Sequence, residues 1–161
     1  MRSRLAALAG AVLLTACGPS FDEDGLADVE DWANDAITAG EVAAMDIASV
    51  AMGQEAQWAS LAEHRDRLDA ISDAADDLPD DDEIASWLFN RTVAGEQFQV
   101  HGRDLAVAVA DLHDGVMALA DEADLLDDQG GEVSDSDLQW IDDALTAFTN
   151  GAEGYRAVML P

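Results

Sequence analysis

Apolar residues recur every three or four positions along most of the chain, and that recurrence predicts helices. Leu26, Val29, Ala33, Ala36, Gly40, Ala43, Ile47 and Val50 keep one phase, and Leu61, Leu68, Ile71, Ala75 and Leu78 continue it. Gln54, Gln57 and His64 fall on the same stripe. The phase passes through Gly53, so the pattern allows one helix over 25–77, roughly 80 Å long at 1.5 Å per residue. Two helices of ordinary length, broken at Gly53, fit it equally. Asp77-Leu78-Pro79-Asp80-Asp81-Asp82 is a stop and a restart, because proline ends a helix and aspartates suit the start of the next.

A second periodic segment runs through Ile84, Trp87, Leu88, Phe98, Leu105, Val109, Leu112, Val116, Leu119 and Leu126, and predicts helix to about residue 127. Gly95 and Gly102 lie one heptad apart on its apolar face, where they allow close helix approach. Asp128-Gln129-Gly130-Gly131-Glu132 is the next turn. Ser134 with Asp137 reads as a capping box with Asp in place of the usual Glu or Gln. Leu138, Ile141, Leu145, Phe148, Ala152, Tyr155 and Val158 predict the last helix. Short connections make sequential helices antiparallel. The expected fold is all-α: an antiparallel up-down-up bundle of three long helices over residues 25–160, or four if the first breaks near Gly53. No strand pattern competes.

The first twenty residues follow another logic. Arg2 and Arg4 form a basic head, Leu5 to Ala16 is a small apolar run, and Leu14-Thr15-Ala16-Cys17 ends it at the only cysteine. The run is about a dozen residues, short of the roughly 20 that span a bilayer. Basic head, apolar run, small residues and Cys in this order resemble a bacterial lipoprotein signal peptide with its lipobox. The resemblance implies removal of residues 1–16 by cleavage between Ala16 and Cys17, lipidation of Cys17, and a tether over residues 17–24. It implies attachment to the cell-envelope membrane through acyl chains. Gly18, where an inner-membrane lipoprotein often has Asp, implies the outer membrane, with the domain facing the periplasm.

Charge narrows the partners. The chain has 7 Arg and Lys, all of them Arg, against 35 Asp and Glu, a formal charge of −28. Loss of Arg2 and Arg4 with the leader leaves 5 against 35, or −30. Such a surface repels phosphate backbones, so nucleic acid is not an expected partner, while cations are. Asp outnumbers Glu, although Asp is the poorer helix former, which fits a solvating surface in a salty medium. With Cys17 lipidated, no disulfide forms within the chain.

Two constellations of metal-ligating residues stand out. Ala39-Gly40-Glu41, Glu63-His64 and Leu78-Pro79 are similar to a secreted ferritin-like helical family with a Gly…Glu helix, an Asp-His helix and a Leu-Pro terminator. The resemblance implies Glu41, His64 and Glu96 as metal ligands. Ser20 to Asp31 resembles an EF-hand calcium loop, with oxygen ligands from Asp22, Asp24, Asp28 and Asp31 and Gly25 at the sixth position. Asp76 to Glu83 is the densest acidic turn and leaves room for weak divalent-cation binding. None of His64, His101 and His113 has a carboxylate three residues before it, and no Gly-x-Ser-x-Gly, phosphate loop or dinucleotide fingerprint occurs. The expectation is a non-enzymatic, cofactor-free lipoprotein whose bundle binds a protein partner in the envelope or itself. A metal-binding ferritin-like bundle of the periplasm is the alternative.

Overall fold

The computed structural model describes residues 21–54, 58–130 and 132–160; Ala16, Cys17 and the leader lie outside these. Helix α1 spans Glu23–Ala51. Asp22 caps it by accepting the Asp24 N–H at 3.1 Å, and Glu23 and Asp24 place negative charge at its positive end. It stops at Gly53, whose φ of +80° is open to glycine at low cost and ends the helical path. Helix α2 follows over Trp58–Ala74 and tightens into a 3-10 turn at Ala75–Asp77 before Pro79. The single 25–77 helix is therefore replaced by its two-helix alternative. The folded domain also begins earlier than residue 25: Phe21 stacks on Phe89 with ring centroids 5.0 Å apart and meets Trp87 edge-on.

The second expected helix is corrected more deeply. Only Asp81–Ser86 (α3) and Gly102–Asp128 (α4) of it are helical. Between them, β1 (Leu88–Val93) and β2 (Glu96–His101) form an antiparallel hairpin with Phe89 opposite Val100 and Val93 opposite Glu96. The fold is mostly helical rather than all-α. Phe89, Thr92, Val93, Phe98 and Val100 suit a pleated surface, and Ala94 and Gly95 turn the chain with φ of +52° and +87°. Gly95 thus serves a two-residue turn, not helix packing. Gly102 does serve close approach, but to the α3 end: a Cβ there would lie 1.8 Å from the Ile84 carbonyl oxygen.

Helix α5, Asp135–Met159, opens with the expected capping box: Ser134 Oγ accepts the Asp137 N–H, and the Asp137 carboxylate accepts the Ser134 N–H at 2.7 Å. The four long helices alternate in direction. Trp32 meets Ile71 and Asp46 meets Ser60 between α1 and α2, while Arg65–Asp124 and Ser72–His113 join α2 to α4. Gly115 and Gly151 bring α4 and α5 to backbone contact, each leaving a Cβ only 2.6 Å from the other helix's main chain. Helix α4 touches each of the other three long helices. The apolar positions of the three expected segments lie in or against this core, except Leu88 and Leu138, which are exposed, and Phe98, which is half-buried outside it. The hairpin covers the end of the bundle where α1 starts and α5 finishes, tied there by the Arg91–Glu30 ion pair.

Candidate functional site

Helices α1 and α2 part along their outer edge into a groove of about 590 Å³. Its floor is apolar, made by Trp32 and Ile71 with Leu78 closing one end. The floor is held by a specific bond: the Trp32 indole N–H donates to the Ile71 carbonyl at 2.9 Å. Ile71 is in the last turn of α2, so the indole bond ties α1 to the end of α2 through a backbone carbonyl. Ala70 and Ala74, one turn apart on α2, keep that wall low.

The rim is acidic. Asp28, Asp31 and Asp35 follow at three- and four-residue spacing on α1, so they form a line on one face, and Asp77 stands at the α2 end. Arg67 donates to Asp35 at 2.8 Å, with both side chains more than half exposed. Asp28, Asp31 and Asp77 have no cationic partner among the described residues.

The residues singled out for metal are not assembled. Glu41 is paired with Arg156 on α5 at 2.6 Å. His64 Nε2 lies 2.6 Å from Asp46 Oδ2, which also accepts from Ser60 Oγ at 2.9 Å, so these side chains pin α1 to α2. Glu96 sits exposed beside the hairpin turn. The calcium set is likewise spread out: Asp22 caps α1, and Asp24, Asp28 and Asp31 ride on the helix. Helix from Glu23 onward extends the very segment that a calcium loop must wrap around one ion. Among the described residues no group of three or more His, Cys, Asp or Glu side chains is placed to hold a metal ion. The acidic turn divides in the same way, with Asp77 facing the groove and Asp76 and Asp81 facing a separate cleft beside His113.

Two buried carboxyls occupy the other end of the bundle. Glu122 is 6 % exposed, and its Oε1 has no hydrogen-bond partner among the described residues. Burial, and then the charges of Asp137 and Asp121, push its pKa up. Asp137 is pulled down by its bonds to the Ser134 backbone and side chain.

The groove was not anticipated as a unit, although Asp28 and Asp31 were picked out as calcium ligands. Its signal in the sequence is an Asp28-Asp31-Asp35 line flanking Trp32, with small residues at 70 and 74 on the facing helix. Among the described residues no helix is long and apolar enough to cross a membrane. No family model, no curated protein and no solved structure matches the chain.

Proposed function

We propose that the chain is a lipid-anchored protein of the bacterial cell envelope, held through Cys17 in the outer membrane, whose helical bundle is a non-enzymatic binding domain for a cationic ligand. The observation that carries the binding half is the α1/α2 groove: an apolar floor beside Asp28, Asp31 and Asp77, carboxylates that the described protein does not neutralise. A second copy of a chain at −30 has the wrong sign for this groove. The lipobox Leu14-Thr15-Ala16-Cys17 supports the anchor, and Gly18 supports the outer membrane facing the periplasm. Four peptide steps lead from Cys17 to Phe21, a reach of at most about 15 Å. The anchor thus holds the hairpin end of the bundle close to the lipid. The near end of the groove is at that side too, because Gly25 packs against Pro79 beside Leu78.

Fatty-acid labelling and membrane fractionation of Cys17→Ser test the anchor. Loss of label and of membrane attachment is expected; a labelled, normally attached variant overturns it. The binding half is tested by titrating the full-length protein with cationic ligands, comparing wild type with Asp31→Lys. Binding that the charge reversal leaves intact overturns the groove as the site.

A further inference from the structure

We infer that the α1/α2 groove takes a linear aliphatic polyamine, a chain of methylenes carrying separated ammonium groups. The inference rests on the groove reading above and names its ligand. Three features select this chemistry. The first is the line of charge. At 1.5 Å rise per residue, Asp28 and Asp31 stand about 4.5 Å apart along α1, and Asp35 extends the line to about 10 Å. The three carboxylates without a cationic partner, Asp28, Asp31 and Asp77, are not gathered at one point, and the described residues hold no three-ligand metal cluster. Charges strung along a groove are matched by several separated positive charges better than by one divalent ion.

The second feature is the floor. Trp32, Ile71 and Leu78 offer apolar surface to methylenes between the ammonium groups, while the low wall at Ala70 and Ala74 leaves width for an unbranched chain. The volume, about 590 Å³, is that of a small-ligand site. The third feature is the protein's own solution at one end. Arg67 lines the groove and sets its guanidinium on Asp35 at 2.8 Å, an alkyl stem ending in a cation on the same rim.

The test is calorimetric titration of the full-length protein, in non-ionic detergent at low salt, with spermidine. One saturable site is expected, tighter than for magnesium chloride at matched ionic strength. Asp31→Asn should weaken it at least fivefold. Ala70→Leu, an exposed position, alters no charge but fills the groove and should weaken it as much. Asp143→Asn, exposed on α5, removes the same charge elsewhere and should leave affinity unchanged. Equal weakening by both Asp→Asn variants, no effect of Ala70→Leu, or magnesium binding as tightly would overturn the proposal. If spermidine fails while a lysine-rich peptide binds and is lost in Asp31→Asn, the polyamine is overturned and the groove reading stands. If neither binds, both fall.

Discussion

Trp32 and Ile71 are joined across α1 and α2 by a 2.9 Å hydrogen bond from the indole N–H to the last-turn carbonyl. The pair forms the groove floor and fixes α1 against the end of α2. Trp32→Phe keeps an aromatic ring but removes the hydrogen bond that joins the two helices. A loss of about 1–2 kcal/mol is expected, seen as a lower denaturant midpoint with unchanged slope. An unchanged midpoint would mean that water replaces the indole without cost.

The hairpin turn places Ala94 at φ +52°, where a Cβ is strained. Asparagine tolerates that region and, followed by Gly95, makes the Asn-Gly pair favoured in two-residue hairpins. Ala94→Asn should stabilise the protein by about 0.5–1 kcal/mol, and Ala94→Val should destabilise it. Thermal melts of the two variants should move in opposite directions; movement in the same direction would contradict the turn geometry.

That hairpin also marks the limit of what the amino-acid pattern shows. Val29, Ala33, Ala36, Ala43 and Ile47 are all buried on the periodic face, because a long amphipathic stripe has one way to hide. Over 87–101 the apolar residues Trp87, Leu88 and Phe98 also fit a helical phase by spacing. The strand preference of Phe89, Thr92 and Val100 decides the outcome once Phe89 can reach Phe21 and Val100 can face the core. An Ala-Gly turn lacks the Asn or Asp that usually announces a hairpin. The capping box at Ser134 and Asp137 was legible because it is local. The groove was not, since it needs α2's alanines opposite α1's aspartates, a relation fixed only by how the two helices pack.

The two buried carboxyls give stability opposite pH dependences. Glu122, with its pKa raised by burial, holds its proton longer when folded, so stability falls as pH rises from the ordinary glutamate value, about 4.3, through the raised one. Asp137, with its pKa lowered by Ser134, contributes stability above the ordinary aspartate value that is lost as pH falls through its own. Glu122→Gln should therefore leave stability near pH 4 little changed and raise it at pH 7 by about 1 kcal/mol, the scale of an unsatisfied buried polar group. Denaturant unfolding at the two pH values reads this directly. A Gln variant less stable at pH 7 would show that the carboxylate has a stabilising partner.

Charge makes the broadest prediction. Arg65, Arg67, Arg91 and Arg156 each already engage a carboxylate, so most acids among the described residues have no fixed cation. Asp66, Asp69 and Asp73 on α2, and Asp121, Asp124 and Asp128 on α4, repeat the like-charge spacing seen along the groove, at a few tenths of a kcal/mol per pair. The folded bundle concentrates these charges more than an expanded chain does. Salt shortens the screening length from about 30 Å at 0.01 M to about 3 Å at 1 M, which relieves the folded state more. The exposed arginine pairs weaken under the same screening, but each contributes no more than about 1 kcal/mol. The melting temperature should therefore rise as sodium chloride goes from low to molar concentration, with calcium and magnesium acting alike at millimolar level. A calcium effect well beyond magnesium's, lost in Asp24→Ala, would instead show a specific calcium site at the start of α1. A melting temperature that is flat or falls with salt would mean that the acidic surface is not a folding liability, and the case for a chain suited to a salty medium would lose its physical basis.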